Sequence, residues 1–175
     1  AALARRHGVP CELARVAATA AAGESPEAAA RAARYRALAE RLGPGEALLT
    51  AHHADDQLEG VLLQWLRGGG LRALAGMRAA VPFAAGWHLR PLLAFTREEL
   101  RAWALHCGLE WLEDPSNADP TFDRNYLRLE VLPALRRRWP AAARAVARVA
   151  LQAAEALELD AAAAAADLGS VSDCQ

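Results

Sequence analysis

Hydrophobic and polar residues near the middle of the chain separate into two faces of one helix. Apolar residues recur at i, i+3, i+4 and i+7, the spacing of a helical stripe: Leu58, Val61, Leu62 and Trp65. The same spacing on the opposite side is polar and titratable: His52, Asp55, Asp56 and Glu59. We therefore predict an amphipathic helix that buries the first face and presents the second for chemistry.

Short apolar runs on either side of a longer helical pattern predict strands. Residues 8–16 and 46–51 are such runs, and Ser25-Pro26 between them is typical of a helix start, with the helix ending near Leu42 before Gly43-Pro44-Gly45. The order strand, helix, strand, helix predicts a parallel sheet with right-handed crossovers. We expect residues 12–16 and 46–51 to be parallel neighbours, with His52 and His53 at the carboxyl end of the second strand.

The second half of the chain is predicted to be mostly helical. Residues 89–93 form a further candidate extended segment, and Thr96-Arg97-Glu98-Glu99 is a capping box for a helix that closes at Gly108. Alanine-rich residues 141–166 predict a long helix. We expect a catalytic domain over residues 1–140 and the start of a helical linker or next domain over residues 141–175.

Composition sets outer limits on the function. The chain has 175 residues, is 54% hydrophobic and carries a net charge of −1, so it can bury a core but has no global basic field for a polyanion. All 20 basic residues are arginine, which suits phosphate recognition. The three cysteines are too far apart to indicate a disulfide framework or zinc knuckle. With no transmembrane stretch or signal peptide, we expect a cytoplasmic protein without a membrane partner.

The His52/His53/Asp55/Asp56 cluster admits three interpretations. Histidines and carboxylates at this spacing are suited to ligating a divalent metal. They are equally suited to orienting a nucleotide and an amine substrate, where a carboxylate holds an ammonium and His moves a proton. Alternatively, the two aspartates cap the helix, because carboxylates are favoured in a first turn. In an open α/β sheet, ligands bind beyond the carboxyl ends of the strands, which is where this cluster falls.

Several arginines stand at spacings that suit phosphates, although each also has a structural explanation. Arg31 and Arg34 share a face of the Ser25-capped helix, where exposed arginines are usually solvated. Arg67 precedes Gly68-Gly69-Gly70, which is either a phosphate-binding turn or a helix C-cap. Arg124 and Arg128 either bind phosphates or pair with Glu130 and its neighbours.

The order of these motifs is more specific than any one of them. It runs through Glu24-Ser25-Pro26 to Arg34-Tyr35, Ala51-His52-His53-Ala54-Asp55-Asp56-Gln57, Leu66-Arg67-Gly68-Gly69-Gly70-Leu71, Leu74-Ala75-Gly76-Met77, Arg90-Pro91-Leu92-Leu93, Trp111-Leu112-Glu113-Asp114-Pro115-Ser116-Asn117, Phe122 with Arg124-Asn125 and Arg128, and Val131-Leu132-Pro133. The series, over roughly residues 8–140, resembles the tRNA(Ile)-lysidine synthetase family of the N-type ATP pyrophosphatase group.

The resemblance implies an α/β domain with a parallel open sheet of the adenine-nucleotide α-hydrolase (Rossmann-like) type, followed by a helical segment. It implies ATP and Mg²⁺ as cofactors, with free lysine and an isoleucine tRNA bearing a CAU anticodon as partners, and leaves a homodimer open. ATP would adenylate C2 of the wobble cytidine, and the lysine ε-amine would then displace AMP.

Residue roles follow from the same resemblance. Asp56, with His53, would hold and deprotonate the lysine ammonium, and arginines would stabilise phosphate charge. The expected catalytic residues are His53, Asp56, Arg31 and Arg34. The expected substrate- or phosphate-binding residues are His52, Asp55, Glu59, Arg67, Arg124, Asn125 and Arg128. No metal ligand is assigned within the chain.

Two departures from the family pattern affect these expectations. The family's Ser-Gly-Gly-x-Asp-Ser phosphate loop is not among the 175 residues, and Gly60 stands where threonine is usual. We expect the loop to precede residue 1 and the chain as given to be inactive alone. The alternatives are another tRNA-directed ATP pyrophosphatase, such as a thiolase, for which Cys-x-x-Cys pairs would be expected, and a non-catalytic RNA-binding fragment.

Overall fold

The computed structural model describes residues 2–21, 23 and 25–172. Its elements, in chain order, are α1 (Ala2–Arg6), α2 (Pro26–Ala39), β1 (Ala47–Leu49), α3 (Ala54–Leu66), α4 (Gly70–Leu74), β2 (Ala80–Phe83), β3 (Gly86–Leu89), α5 (Arg97–His106), a 3₁₀ turn (Pro115–Ala118), α6 (Asp123–Tyr126), a π-helical turn (Leu127–Val131), α7 (Leu132–Arg138) and α8 (Ala142–Ser172). Among the described residues, none of the helices combines the length and apolar character that crossing a bilayer would require.

The strands form one three-stranded sheet in the order β1–β3–β2. Trp87 N donates to Glu46 O at 3.1 Å and Thr50 N donates to Leu89 O at 3.1 Å. Because these bonds advance in the same direction along both strands, β1 and β3 are parallel. β2 and β3 follow each other through a two-residue turn and form an antiparallel hairpin. The α/β class is confirmed, with a small mixed sheet in place of a wholly parallel one.

The strand predicted over residues 12–16, and with it the parallel pairing to residues 46–51, is wrong. The segment has no regular secondary structure. Leu13 is 87% exposed and Val16 is 44% exposed, so the segment buries no apolar face against a neighbour. Pairing alone stabilises a strand weakly without such burial. The segment is held through a side chain instead, since Glu12 accepts a hydrogen bond from Arg41 at 2.7 Å.

The β2–β3 hairpin was not predicted from the sequence. The only residue of 89–93 in a strand is Leu89, and Pro91–Leu93 lie in turns. The two turn residues of the hairpin, Ala84 and Ala85, are not the Asn-Gly or Gly-rich pairs that signal such turns. Ala84 nevertheless adopts a φ of 49°. Gly86 is required on the other side of the turn, because a Cβ there would lie 2.1 Å from Glu46 O.

The predicted helix starts are confirmed. α2 has Pro26 in its first turn, and Thr96 with Glu99 forms both hydrogen bonds of the capping box at the start of α5. Gly108, just beyond α5, has a φ of 63°, as a glycine that ends a helix should. Gly68 plays the same part after α3 with a φ of 77°, which favours the C-cap interpretation of the Gly68-Gly69-Gly70 run.

The chain divides into two compact units, Ala1–Leu48 with Pro82–His88 and Leu49–Val81 with Leu89–Gln175. The second unit has a core in which α3, α7 and α8 meet, formed by Ala54, Leu58, Leu132 and Ala143. α8 packs on α3 in this unit. The assignment of residues 141–175 to a separate linker or domain stays a prediction.

The predicted division of α3 into a buried apolar face and an open polar face is only partly right. Leu58 and Val61 are buried, but Trp65, in the last turn, is 62% exposed because the core contacts lie in the first turns. The polar side is not open: Asp55 is 5% and Glu59 1% exposed. Buried carboxylates need charged or hydrogen-bonding partners, and other helices of the unit supply them.

Candidate functional site

The His/Asp cluster lies where β1 gives way to the first turn of α3. His53 is the N-cap residue of α3, with Nδ1 accepting from Asp56 N at 3.3 Å, while His53 N donates to Asp56 Oδ2 at 3.0 Å. The Nε2 atom of the ring takes no part in these capping contacts. The capping interpretation of the cluster is therefore confirmed for His53 and Asp56. Capping leaves one polar atom of each side chain outside these bonds, Nε2 of His53 and Oδ1 of Asp56.

Asp56 keeps one carboxylate oxygen available. Its Oδ1 makes no hydrogen bond to any described residue, and its neighbours are Arg124 Nη2 at 3.6 Å and Arg128 Nη2 at 3.8 Å. The Asp56 and His53 side chains are 15% and 17% exposed. A carboxylate oxygen at a helix N-terminus that makes no hydrogen bond within the protein can accept one from a cationic ligand.

Asp55 is a structural anchor for the elements around the site. Its Oδ2 accepts from the backbone N–H of Arg97 at 2.6 Å, and its Oδ1 accepts from Arg136 Nη2 at 2.5 Å. These bonds join α3 to the first residue of α5 and to the last turn of α7. The substrate-binding role predicted for Asp55 stays a prediction, and its two oxygens already have strong donors.

Glu59 holds both arginines of the segment that follows the Asp114–Asp119 loop. Arg124 Nε donates to Oε2 at 2.9 Å, and Arg128 donates from Nε to Oε1 and from Nη2 to Oε2, each at 2.9 Å. The hydrogen bond to Glu59 raises the pKa of Arg128 above its ordinary value, against partial burial, which lowers it. Glu59 therefore fixes both guanidiniums, and each keeps N–H groups that Glu59 does not use.

A π-helical turn that contains Arg128 follows α6, which contains Arg124. Pro133 has no N–H and its ring clashes with the carbonyl four residues earlier, so a regular α-helix is disfavoured just before it. The wider turn over Leu127–Val131 accommodates this, and π-turns recur at functional sites. The alternative that Arg124 and Arg128 pair with an acidic side chain holds, but Glu130 as the predicted partner is wrong, because both arginines bind Glu59 instead.

Three other predicted site residues form hydrogen bonds with residues of the same unit. His52 Nδ1 lies 2.7 Å from Thr50 Oγ1, and Arg67 donates to Asp123 at 2.7 Å with its side chain 67% exposed. Asn125 Nδ2 donates to the carbonyls of Ser116 and Asp119, each at 2.8 Å, which fixes the preceding loop. Their substrate- or phosphate-binding roles stay predictions.

Arg31 and Arg34 lie on α2 in the first unit and share one aromatic partner. Their guanidinium carbons are 5.5 and 5.8 Å from the centroid of the Tyr35 ring, within cation–π range. Tyr35 is itself packed edge-on against Phe83 at 5.9 Å, and beside His88 at 5.7 Å. Both cations are thus positioned by an aromatic cluster, and their catalytic roles stay predictions.

Two residues important to the site were not predicted from the sequence. Arg136 binds Asp55, and its position four residues after Leu132 on the core face of α7 is the signal that would have identified it. Gln57 is 3% exposed, and its side-chain amide makes two hydrogen bonds to the backbone of Met77. Its Nε2 donates to Met77 O at 2.8 Å, and its Oε1 accepts from Met77 N at 2.7 Å. No sequence pattern indicates that contact.

The direct metal-binding interpretation of the cluster is not supported by its contacts. Within the described residues, no three His, Cys, Asp or Glu side chains are grouped as metal ligands would be. Asp55 and Glu59 accept from arginines, and Asp56 accepts from a backbone N–H. A cavity of about 620 Å³ opens elsewhere in the same unit, beside Gln57, Met77 and Leu151, and none of the described residues predicted for the site lines it.

Comparisons with known proteins agree with the motif order. A tRNA(Ile)-lysidine synthase of Methylococcus capsulatus is 51% identical over 159 residues, covering 91% of this chain and 36% of that protein. The enzyme of the same name from Alkalilimnicola ehrlichii is 56% identical over 149 residues, covering 85% and 34%. That from Pseudomonas aeruginosa is 50% identical over 167 residues, covering 95% and 37%. The chain thus spans about a third of the length of these curated relatives.

A family model described as a PP-loop domain matches residues 1–135. The match takes in β1, the capped start of α3 and both arginines bound to Glu59. Since it extends over well more than half of the 175 residues, the chain belongs to the PP-loop domain family.

Proposed function

We propose that this protein uses ATP to join lysine to the wobble cytidine of an isoleucine tRNA that has a CAU anticodon. The observation that carries the proposal is the identity of 50–56% to relatives named tRNA(Ile)-lysidine synthase, over stretches covering 85–95% of this chain. In the first step the oxygen on C2 of the cytidine displaces pyrophosphate from ATP. In the second, the lysine ε-amine bonds to C2 and AMP leaves.

His53 and Asp56 are the proposed amine site. A lysine amine attacks only when neutral, so its ammonium must lose a proton at the place where it is held. Asp56 Oδ1 is available to accept from the ammonium, and His53 lies next to it with Nδ1 3.4 Å from Asp56 Oδ2. This geometry supports a shared role in which Asp56 orients the ammonium and the pair removes its proton.

Arg124 and Arg128 are proposed to face phosphate oxygens. Glu59 fixes one edge of each guanidinium, and the side chains remain 29% and 20% exposed. A guanidinium carries five N–H donors, so each arginine retains donors for an anion. A buried carboxylate that holds two arginines in place reduces the cost of ordering them when charge develops in the transition state.

Arg31 and Arg34 are proposed as further phosphate ligands. Their cation–π contacts with Tyr35 restrict long side chains without occupying their N–H donors. We assign no step to Mg²⁺, because the carboxylates of the described site already accept bonds from arginine and backbone N–H groups. A cytoplasmic location and a homodimer remain part of the proposal, the first because the tRNA substrate is cytoplasmic.

Two assays test the proposal on this chain and on the longest reading frame that contains it. The first is exchange of ATP with labelled pyrophosphate that depends on tRNA, and the second is incorporation of labelled lysine into the tRNA. Asp56→Asn keeps an oxygen for the N-cap but loses the charge that holds the ammonium. We expect adenylation to be spared and lysine transfer to fall roughly 30- to 1000-fold, equivalent to about 2–4 kcal/mol.

Asp160→Asn on the exposed face of α8 is the matched control and should change neither assay. Equal loss of both half-reactions in Asp56→Asn would assign Asp56 to ATP and contradict the amine site. Residues 1–175 alone are expected to give no exchange, so the longer reading frame decides: binding of tRNA without any pyrophosphate exchange there would instead support the non-catalytic RNA-binding alternative. Exchange without lysine transfer would point to another tRNA-directed ATP pyrophosphatase.

A further inference from the structure

Charge is segregated along α7 and α8 in a way that the proposed reaction does not use. Residues 131–154 contain five arginines and no acidic residue: Arg136, Arg137, Arg138, Arg144 and Arg148. Residues 155–175 contain five acidic residues and no arginine: Glu155, Glu158, Asp160, Asp167 and Asp173. Because the whole chain has a net charge of −1, the first stretch is a local concentration of positive charge.

The junction of α7 and α8 exposes most of this charge. Leu132 is fully buried on one side of α7, whereas Arg137 and Arg138 are exposed. Trp139 follows them, is 57% exposed, and lies beneath Arg138 with the guanidinium carbon 5.7 Å from the ring centroid. A hydrogen bond from Ala142 N to Trp139 O at 3.0 Å turns the chain directly into α8. We call Arg137, Arg138, Trp139, Arg144 and Arg148 the basic corner.

Part of the charge in the basic corner is not neutralised within the protein. In the described portion of the chain, Arg137, Arg138 and Arg148 form no ion pair, and Arg138 lies over the tryptophan ring. Arg144 is paired with Glu99. Arg144 and Arg148 are four residues apart and so share a face of α8. Exposed guanidiniums without carboxylate partners indicate a surface that suits a polyanion.

The basic corner begins one residue after Arg136, which belongs to the candidate site. Arg136 binds Asp55, and Asp55 is adjacent in sequence to Asp56. This link is the reason to place a neighbouring part of the same polymeric anion at Arg137 and Arg138. The exposed Trp139 offers a flat ring on which a base can stack, as in proteins that bind unpaired nucleotides.

We propose that the basic corner binds the sugar–phosphate backbone of the RNA substrate next to the modified nucleotide, with Trp139 stacking on an unpaired base. The choice of RNA as the polyanion rests on the proposed function. The corner positions the substrate and takes no part in the chemical steps. Its arginines supply affinity that depends on salt, since each neutralised phosphate releases counterions.

The test measures binding of a tRNA transcript with a CAU anticodon to the protein by fluorescence anisotropy at several KCl concentrations. Arg137→Glu/Arg138→Glu should weaken binding at least tenfold and reduce the slope of log affinity against log salt by about 2, close to one unit for each lost phosphate contact. Trp139→Ala should weaken binding roughly 5- to 100-fold, the range for one stacked base. Because these side chains are exposed, circular dichroism should be unchanged.

A second arginine on a tryptophan provides the matched control. Arg101 lies 5.6 Å from the ring centroid of Trp111, with Trp111 44% exposed, but Glu98, Glu99, Glu110 and Glu113 surround that pair in sequence. Arg101→Glu and Trp111→Ala should change tRNA affinity by less than twofold. Equal losses of tRNA affinity in the Arg138–Trp139 and Arg101–Trp111 variants, or no loss in either, would overturn the assignment.

Further outcomes separate this inference from the proposed function. Unchanged KM for tRNA in Arg137→Glu/Arg138→Glu, with pyrophosphate exchange intact, would refute the basic corner and leave the function standing. If the variant loses tRNA binding and the longest reading frame shows no exchange activity, the result would support the corner and refute the function. The parent protein and Arg137→Glu/Arg138→Glu are also compared for binding to phosphatidylglycerol–phosphatidylcholine vesicles. If the variant loses vesicle binding but keeps the parent's tRNA affinity, the surface is assigned to a membrane and the proposal is overturned.

Discussion

Replacing Glu59 by glutamine tests whether a buried carboxylate holds the arginines of the site in place. The substitution preserves the shape of the side chain and removes its charge. Glu59 is 1% exposed and accepts three hydrogen bonds from Arg124 and Arg128, each at 2.9 Å. Glutamine would direct an amide N–H₂ group at guanidinium donors, so at least one of these bonds is lost together with the ion pair.

The size of the effect follows from how well the two arginines are otherwise compensated. Removing one partner of a buried ion pair typically costs about 3–5 kcal/mol, because the remaining charge is left unpaired. Arg124 and Arg128 would keep Asp56 at 3.6 and 3.8 Å, and their side chains are 29% and 20% exposed. We therefore expect the lower end, about 3 kcal/mol, and a fall in Tm of about 6–12 °C for a chain of this size.

The assay is urea unfolding followed by tryptophan fluorescence. Four of the five tryptophans lie in the second unit, and Trp87 lies in the first, so a Trp87→Phe background restricts the signal to the unit that contains Glu59. Glu130→Gln, an exposed carboxylate in the neighbouring π-turn, is the matched control and should change stability by less than about 0.5 kcal/mol.

A loss below about 1 kcal/mol in Glu59→Gln, or a loss equal to that of Glu130→Gln, would refute the reasoning, since the pair would then contribute no more than a surface one. A triple variant with leucine at positions 59, 124 and 128 separates stability from function. Replacing a whole buried ion cluster by apolar side chains is often neutral, so we expect near-parent stability. Pyrophosphate exchange should nevertheless be lost if the arginines bind phosphate.

Two further predictions concern backbone strain and pH. Gly76→Ala should destabilise the protein by about 2–4 kcal/mol in urea unfolding, because Gly76 has a φ of 54° and an added Cβ would lie 2.7 Å from the Gln57 amide that binds Met77. Gly60→Ala, in open space within α3, is the control and should stabilise the protein by up to about 1 kcal/mol. Similar losses of stability in both variants would contradict this account. Hydrogen bonds from Thr96 lower the pKa of Glu99 below its ordinary 4.5, so the stability they add is present above pH 4.5 and is lost as the pH falls through the lowered pKa. The Tm difference between the parent and Glu99→Gln should accordingly shrink between pH 6 and pH 3, and a constant difference would refute it.

Local signals in the sequence were sufficient for the helices. Pro26 after Ser25, the Thr96–Glu99 capping box and the glycines at positions 68 and 108 act within one or two turns of their own position, and the structure has them as expected. The strands were less predictable. A strand is stabilised by pairing and by burial against distant residues, so the exposed segment 12–16 and the hairpin around Ala84 could not be distinguished by pattern alone.

Sequence alone determined the predicted site region: the His53–Asp56 start of α3 and the arginine pair that follows the Asp114 loop. Only the tertiary structure decided how these residues are used. Whether a carboxylate is open or bonded depends on which side chain reaches it across tens of residues, as Arg136 reaches Asp55 and as Arg124 and Arg128 reach Glu59. Periodicity assigns a residue to a face of its own helix, but it contains no information on which element packs against that face. That element determines whether a charged side chain is buried and which group pairs with it.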